Sequence, residues 1–230
     1  MVMDNFKNIV YSHSECFDVL DIFLEQQKKF GIKNISVFSD KKFNDENEHF
    51  IYNENDIYSE RLKKSLEKVK EDIILYQHED MFLYKKPDIS TLKKYIHYLS
   101  NSDYSFIRLS RTGDCSLKSI DHNLHEVESS STDFFAVQPT LWKRKDFIYF
   151  LKCAGLKNIW DLELSSNKIK HNIKGLMHYG DEPARGGHFD CNFWPYVATA
   201  IVKGNWNFRE YNIELSEISK VNKSKRGKFL

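Results

Sequence analysis

The sequence predicts an α/β fold in which helices flank a mixed, mostly parallel central sheet within a single domain. Residues 8–12 and 35–38 are short apolar runs rich in β-branched side chains, which is typical of buried strands. Between them, residues 16–29 repeat apolar side chains at helical spacing, and Gly31 is placed to end that helix. A strand, a helix and a second strand within about 30 residues indicate a βαβ unit, whose two strands are parallel.

The same alternation continues along the chain. A helix is predicted over residues 60–70, and a third buried strand follows at residues 73–76. The remaining predicted elements are short strands at 50–52, 106–109 and 134–137, helices over 90–99 and from 145 to 154, and an apolar run at 197–202. Residues 113–132 are predicted to form a surface excursion, and the glycine-containing residues 176–194 a mobile loop.

The predicted α/β domain covers residues 1–212, and residues 213–230 form a basic tail. The lysines and arginine of this tail are Lys220, Lys223, Lys225, Arg226 and Lys228. One interpretation is a solvated, disordered segment, and the other is weak contact with an anionic membrane surface or an anionic acceptor.

Composition and charge exclude several classes of protein. The chain has 230 residues, of which 41% are hydrophobic, and this predicts a globular protein. A net charge of +1 provides no basic excess, so nucleic acid is not a predicted partner. No apolar run reaches the ~20 residues of a transmembrane helix. The four cysteines are widely spaced and the first residues do not resemble a signal peptide, so we predict a cytoplasmic protein of the producing or host cell.

The strand at residues 73–76 ends in a group of side chains that can bind a metal. His78, Glu79 and Asp80 follow the apolar run directly. Acids next to a buried strand are costly to desolvate unless a cation or ligand compensates, and ligands bind at the carboxyl edge of open α/β sheets. An ordinary polar strand end is the alternative. Neither a Gly-x-Gly-x-x-Gly motif nor a Walker loop is present, so classical dinucleotide folds and P-loop enzymes are not expected.

Other candidate site residues stand at similar positions. Asp40 ends the second strand, where it either accepts hydrogen bonds from a ribose or base or simply begins a turn. Arg108 and Arg111 either bind a diphosphate or an anionic acceptor, or are surface cations beside a turn. Asp161 and Glu163 diverge by about 200° if they are helical, so one of them can face a cleft. The alternative for this pair is an ordinary helix start.

Taken in order, these pieces resemble the nucleotide-sugar glycosyltransferases of the GT-A (Rossmann-like) fold, particularly the family-2-like enzymes. The carrying residues are Ile9-Val-Tyr-Ser-His13, Ile35-Ser-Val-Phe-Ser-Asp40, Ile74-Leu-Tyr-Gln-His78-Glu79-Asp80, Phe135-Ala-Val-Gln-Pro-Thr-Leu-Trp142-Lys-Arg144 and Trp160-Asp161-Leu-Glu163-Leu164. The resemblance covers about residues 8–210. Its D-x-D-like step departs from the family pattern, because His78 stands where the first aspartate is usual.

The resemblance implies a function and a set of roles. The chain would move a sugar from a nucleotide-diphosphate sugar, most simply a UDP-sugar, to a hydroxyl of a glycan or glycolipid acceptor with inversion. Asp80, with Glu79, would hold Mn²⁺ or Mg²⁺. Asp161 would be the catalytic base, with Glu163 as its substitute. The implied nucleotide-sugar-binding residues are Tyr11, His13, Asp40, His78, Glu79, Arg108, Arg111 and Trp142.

Three other functions remain open from the sequence. A nucleotidyltransferase on a similar sheet typically has a glycine-rich, basic loop after the first strand, and Tyr11-Ser-His-Ser-Glu-Cys16 does not supply one. A metallohydrolase would use His178, His188 and Asp190, whose spacing matches no helical His-x-x-x-His pattern. A catalytically silent glycan- or nucleotide-sugar-binding protein on the same fold is the third.

Overall fold

The computed structural model of the protein describes residues 5–111, 115–121, 123–132, 134–155, 158–169, 172–179, 185 and 191–230. In chain order its elements are β1 (Phe6–Tyr11), α1 (Phe17–Lys29), β2 (Ile35–Ser39), β3 (Glu48–Ile51), α2 (Tyr58–Leu66), β4 (Ile73–His78), α3 (Ile89–Asn101), β5 (Phe106–Arg108), β6 (Cys115–Asp121), β7 (Leu124–Val127), β8 (Thr140–Lys143), α4 (Arg144–Ala154), α5 (Ile159–Ser165), β9 (Gly175–His178), β10 (Ile201–Val202), β11 (Asn205–Asn207), α6 (Phe208–Ser216), α7 (Ser219–Lys223) and β12 (Lys228–Phe229). Short 3₁₀ turns precede α1, at Ser14–Cys16, and follow α5, at Ser166–Lys168.

The described strands form a large sheet of nine strands in the order β3-β2-β1-β4-β8-β5-β9-β7-β6. The pairs β3–β2, β2–β1, β1–β4 and β5–β9 are parallel, and the other pairs are antiparallel. Of the nine described strands in this sheet, seven therefore point the same way, and β7 and β8 are reversed. The predicted fold class, a mixed and mostly parallel sheet flanked by helices, is confirmed. A small sheet, β10-β11-β12, lies beside it in the order given.

Alternating side chains divide the core between the two faces of the large sheet. Ile74 and Tyr76 of β4 pack on one face with residues of α2, α4 and α5. Leu75 of the same strand packs on the opposite face with α3, and Val10 of β1 packs there with α1 and α6. Two helical layers therefore enclose the sheet, and its strands end at edges that the helices leave open.

Local sequence explains where the helices begin and end. Asp88 caps α3 by accepting hydrogen bonds from the backbone amides of Ser90 and Thr91. Gly31 follows α1 with a φ of +76°, a left-handed conformation that glycine adopts without strain. The strand, helix and strand at the start of the chain thus form as the sequence predicts.

Two predictions about residues 113–137 are wrong. The described part of residues 113–132 contains β6 and β7, which pair with each other, and β7 joins β9 in the large sheet. Residues 134–137 form no strand, because the amides of Phe135 and Val137 bond to side chains of the segment at α5. The strand begins later, at Thr140, and pairs with β4 and β5.

The predicted loop over residues 176–194 is also wrong in its described parts. β9 extends to His178, and Cys191, Phe193 and Trp194 are buried in the core. Asp181, Glu182, His188 and Asp190 lie outside the described residues.

Residues 213–230 are packed against the domain. Helix α6 continues across position 212, where the sequence places the end of the domain. Val221 is buried, and Lys220 bonds to Asp21 and Glu25 of α1. The interpretation of this tail as a solvated, disordered segment is therefore wrong. Membrane contact through the tail stays a prediction.

Candidate functional site

The carboxyl edge of the parallel strands gathers most of the predicted site residues. β1 lies between β2 and β4, so the residues that follow these strands become neighbours at one edge. Strand β8 runs in the opposite direction, and the residues before it, 135–138, therefore reach the same edge. This geometry brings three separated parts of the sequence together.

A cavity of about 500 Å³ opens at this edge, and we call it the site cavity. Its walls come from the end of β4, the segment before β8, helix α5 and the segment before β10. The lining residues are His78, Asp80, Met81, Thr132, Phe135, Ala136, Val137, Gln138, Ile159, Trp160, Glu163, Leu164 and Thr199. The structure thus brings His78 and Asp80 to one cavity with Glu163, a member of the second acidic pair.

Of that second pair, Glu163 rather than Asp161 lines the site cavity. The Glu163 carboxylate accepts a hydrogen bond of 2.5 Å from the Val137 amide and so fastens α5 to the cavity wall. Asp161 lies in the first turn of α5, where its carboxylate accepts a hydrogen bond from the Asn158 amide side chain. The preference for Asp161 over Glu163 as the catalytic base therefore gains no support from this geometry, and the role of Asp161 stays a prediction.

Glu79 and Asp80 are adjacent in sequence but have different surroundings. Asp80 lines the site cavity, whereas Glu79 is 9% exposed and lies beside Cys16. Burial raises the pKa of both carboxyl groups, and the Asp80 charge raises that of Glu79 further. Two ionised acids at this position are costly without a compensating cation, so Asp80 in particular is suited to bind a metal.

His78 belongs to a buried hydrogen-bonded chain. The hydroxyls of Tyr58 and Tyr76 lie 2.5 Å apart, and the Tyr76 hydroxyl lies 2.8 Å from His78 Nε2. Burial lowers the pKa of His78 to about 3, so the imidazole is neutral at pH 7. The ring of Tyr11 lies 5.4 Å from the His78 ring and stacks on Tyr52. Tyr11 and His78, two of the predicted binding residues, are therefore neighbours, and their binding roles stay a prediction.

His13, Asp40 and Glu54 form a second group at this edge that could hold a metal ion. His13 Nε2 lies 2.7 Å from a Glu54 carboxylate oxygen and 3.9 Å from Asp40. Asp40 accepts hydrogen bonds of 2.6 Å from both the amide and the hydroxyl of Ser14. Burial raises the pKa of Asp40, but these bonds outweigh it and hold the pKa below its usual value. Asp40 therefore fastens the turn after β1 to the end of β2.

Three other predicted binding residues lie away from the site cavity. Trp142 is 2% exposed and stacks on Phe147 with ring centroids 4.5 Å apart, which makes it a core residue. Arg108 is 1% exposed, and its guanidinium donates to the Phe134 carbonyl. Arg111 lies over the Tyr179 ring and donates to its hydroxyl. The binding of a nucleotide sugar by these three side chains is not favoured by this placement.

Three residues at the edge are not among the site residues that the sequence predicts. Cys16 lies beside Glu79, where burial and the Glu79 carboxylate raise the pKa of the thiol to about 12. Arg61 of α2 donates to the carbonyls of Glu54 and Asp56 and lies 5.4 Å from the centre of the Tyr52 ring. Arg226 reaches the turn after β1 from the far end of the chain. No local pattern in the sequence marks any of them.

The metallohydrolase alternative gains no support from the described residues. His178 is buried in β9, and its Nδ1 lies 2.7 Å from the Tyr95 hydroxyl.

Within the described ranges, no helix is long and apolar enough to cross a membrane.

We compared the chain and its fold with known proteins. No protein-family model and no curated protein matches the chain. The bifunctional IspDF from Campylobacter jejuni is 16% identical over 77% of this chain, with a TM-score of 0.46, and the match covers 50% of that protein, so this chain spans half its length. A cytidylyltransferase from Leptospira borgpetersenii serovar Hardjo-bovis is 15% identical, with a TM-score of 0.48, over 85% of this chain and 82% of its own.

A third solved structure, a CMP:2-keto-3-deoxy-manno-octonic acid synthetase complexed with CTP, is 9% identical over 75% of this chain and 88% of its own, with a TM-score of 0.43. At these identities the likeness is one of fold. It is to nucleotidyltransferase-like proteins with a GT-A-like Rossmann fold. The predicted transfer of a sugar from a nucleotide sugar to a glycan is contradicted by these matches, which are to a cytidylyltransferase and a CTP-bound synthetase.

Proposed function

We propose that the chain is a nucleotide-binding enzyme that transfers a nucleotidyl group to an acceptor held in the site cavity. The observation that carries the proposal is the position of Asp80. This partly buried carboxylate lines a cavity of about 500 Å³ at the carboxyl edge of a mostly parallel sheet, and that edge is where open α/β sheets bind ligands.

A divalent cation fits this edge because the donors are carboxylate oxygens and an imidazole. Mg²⁺ and Mn²⁺ take one or two protein carboxylates together with phosphate oxygens. Asp80 would hold the ion at the cavity, and His13, Asp40 and Glu54 form the second candidate group. When bound, such an ion neutralises the charge of the phosphates and of the leaving pyrophosphate.

The nucleotide is placed over the ends of β1 and β4. The rings of Tyr11 and Tyr52 stack on each other beneath this position and are nearly buried, and the neutral His78 ring beside them lines the site cavity. His13 is partly exposed beside them and can donate or accept a hydrogen bond. The neutral His78 imidazole and the partly exposed His13 offer hydrogen bonds that a nucleoside can use and a hydrocarbon ligand cannot.

The acceptor is placed in the outer part of the site cavity, against α5. Trp160 and Leu164 are exposed by 68% and 74% and give this wall an apolar surface. In the proposed reaction an acceptor oxygen attacks the α-phosphorus, the bond from that phosphorus to the bridging oxygen breaks, and pyrophosphate leaves. The acceptor proton passes to a carboxylate, for which Glu163 is the cavity residue in position.

The test begins with binding. Melting temperature is measured with CTP, UTP, GTP and ATP, each with and without Mg²⁺. A nucleotide present at 100 times its Kd stabilises by about 2.7 kcal/mol, which raises the Tm of a chain of this size by about 5–10 °C. Pyrophosphate release is then followed with the nucleotide that binds, in the presence of candidate acceptors.

Asp80→Asn is the informative variant, and Asp103→Asn is its matched control. Asp103 is an exposed carboxylate paired with Lys174, away from the cavity. We expect Asp80→Asn to remove the Mg²⁺-dependent part of the shift and Asp103→Asn to retain it. No shift with any of the four nucleotides, or an equal shift in both variants, would overturn the proposal.

A further inference from the structure

Arg226 ties three separate segments together at the turn after β1. Its guanidinium makes two hydrogen bonds to the Asp18 carboxylate, of 2.7 and 2.9 Å, in the first turn of α1. It also donates to the Glu15 carbonyl at 3.1 Å and to the Gly204 carbonyl at 3.2 Å. A bidentate pair of this kind fixes the plane of the guanidinium as well as its position.

The Arg226 contacts extend to the acidic end of β4 through Cys16. The Cys16 thiol interacts with both the Arg226 guanidinium and the Glu79 carboxylate. Glu79 immediately precedes Asp80, the acid that lines the site cavity. A continuous set of contacts therefore runs from the C-terminal segment, through the turn after β1, to the proposed cation ligand.

The rest of the C-terminal segment has other attachments. Lys220 bonds to Asp21 and Glu25 on α1, at 2.6 and 2.5 Å. β12 pairs in parallel with β11. Lys220 and Arg226 are thus two cations on one segment that bind acids of the same helix. Arg226 contacts the turn after β1 as well. A substitution of Lys220 is therefore a matched control for a substitution of Arg226.

We propose that Arg226 is a positioning residue that holds the turn at residues 12–16 against the end of β4 and thereby sets the affinity for nucleotide. The part that concerns affinity rests on the proposed function. The part that concerns the turn does not, because it follows from contacts within the chain. The turn after β1 carries no lysine or arginine of its own, and Arg226 brings a guanidinium to it from another part of the chain.

Alkylation of Cys16 tests the positioning without any nucleotide. The protein is treated with iodoacetamide at fixed pH, and the modified Cys16 peptide is followed by mass spectrometry in the wild type and in Arg226→Ala, Arg226→Lys and Lys220→Ala. Loss of hydrogen bonds to a charged group frees the turn and exposes the thiol. Arg226 also lowers the pKa of Cys16, but burial is the larger influence on that pKa, so we expect about tenfold faster labelling in Arg226→Ala. Lys220→Ala should label within about twofold of the wild type, and Arg226→Lys should lie between.

Equal labelling rates in Arg226→Ala and Lys220→Ala would overturn the proposal. If Arg226→Ala does not fold, Asp18→Asn replaces it, because this change weakens the bidentate pair and leaves Arg226 in place. Faster labelling of Cys16 in Asp18→Asn supports the proposal, and a rate equal to that of Lys220→Ala contradicts it.

The second measurement is the Kd for the nucleotide that stabilises the wild type, with Mg²⁺, in the same variants. We expect about a tenfold weaker Kd in Arg226→Ala, partial recovery in Arg226→Lys and no change in Lys220→Ala. If the wild type binds no nucleotide, the proposed function fails while the labelling result still decides the role of Arg226. If nucleotide binds and Arg226→Ala keeps the wild-type Kd, the proposed function survives and the control of affinity by Arg226 is contradicted.

Discussion

The two halves of the large sheet contribute different things to its carboxyl edge. The half made of β1 to β4 brings side chains that can gain or lose protons or bind a cation, such as His13, Asp40 and Asp80. The half that begins at β8 brings mostly apolar walls, such as Phe135 and Val137, and buries its own charged residue, Arg108. Most groups at this edge that can bind a cation or a proton therefore come from the first half, whereas the second half supplies the apolar walls.

The largest expected effect concerns Trp142, which belongs to the second half. Its indole lies 4.5 Å from the Phe147 ring and 4.6 Å from the Phe106 ring, so truncation leaves a cavity in the core. We expect Trp142→Ala to lower the free energy of unfolding by about 3–5 kcal/mol in urea titrations. Trp160→Ala, at an exposed position, should change it by about 0.5 kcal/mol or less. A small change in the free energy of unfolding in Trp142→Ala would mean that the packing of the second half does not depend on the Trp142 indole.

A smaller effect is expected where α5 is attached to the cavity wall. Glu163→Ala removes the acceptor of the Val137 amide, and hydrogen bonds to charged groups contribute about 1.5–3 kcal/mol. Glu163→Gln retains an oxygen acceptor and should lose less. Urea unfolding of the two variants measures the difference. Equal losses would show that the hydrogen bond to Val137 is not what holds this wall in place.

The smallest expected effect lies at α3, the helix that connects β4 to β5 and so joins the two halves. Asp88→Ala removes the helix cap and should cost about 1 kcal/mol, whereas Asp88→Asn retains a capping oxygen and should cost less. Capping also changes the pKa of the Asp88 carboxyl. Hydrogen bonds from the Ser90 and Thr91 side chains lower the pKa of Asp88 from 3.8 to about 2.

Because the folded pKa of Asp88 is the lower one, its contribution is complete above pH 3.8 and is lost as the pH falls through 2. The difference in unfolding free energy between the wild type and Asp88→Asn should therefore shrink over that window. A difference that stays constant from pH 5 to pH 2 would contradict this assignment.

The sequence predicts the first half well for a physical reason. Buried parallel strands such as β1, β2 and β4 are continuous apolar runs, and their ends are marked by an abrupt change to polar residues. The positions of Asp40 and Asp80 at one edge follow from the parallel order of these strands. The predicted and observed strands agree here because each of these strands can be recognised from its own residues, without knowledge of its partners in the sheet.

The second half is predicted poorly because its strands depend on partners distant in sequence. β6 and β7 pair with irregular register, and their residues read as a polar surface segment. Phe135 and Val137 read as a strand, yet their amides bond to Ser166 and Glu163 on a segment about 30 positions away. The fold class and the acids after β4 could thus be predicted. The lining of the site cavity and the place of Arg226 could not.

The contact between Asp18 and Arg226 also bears on how the protein is made. The two residues are 208 positions apart. At about 5–20 residues per second, a ribosome needs about 10–40 s after Asp18 to produce its partner. The first strands can pair during that interval, and Asp40 can already hold Ser14 of the turn, but the contacts of Arg226 form only after translation has passed position 226. A ligand that needs the turn held from both sides would therefore bind only after that contact has formed.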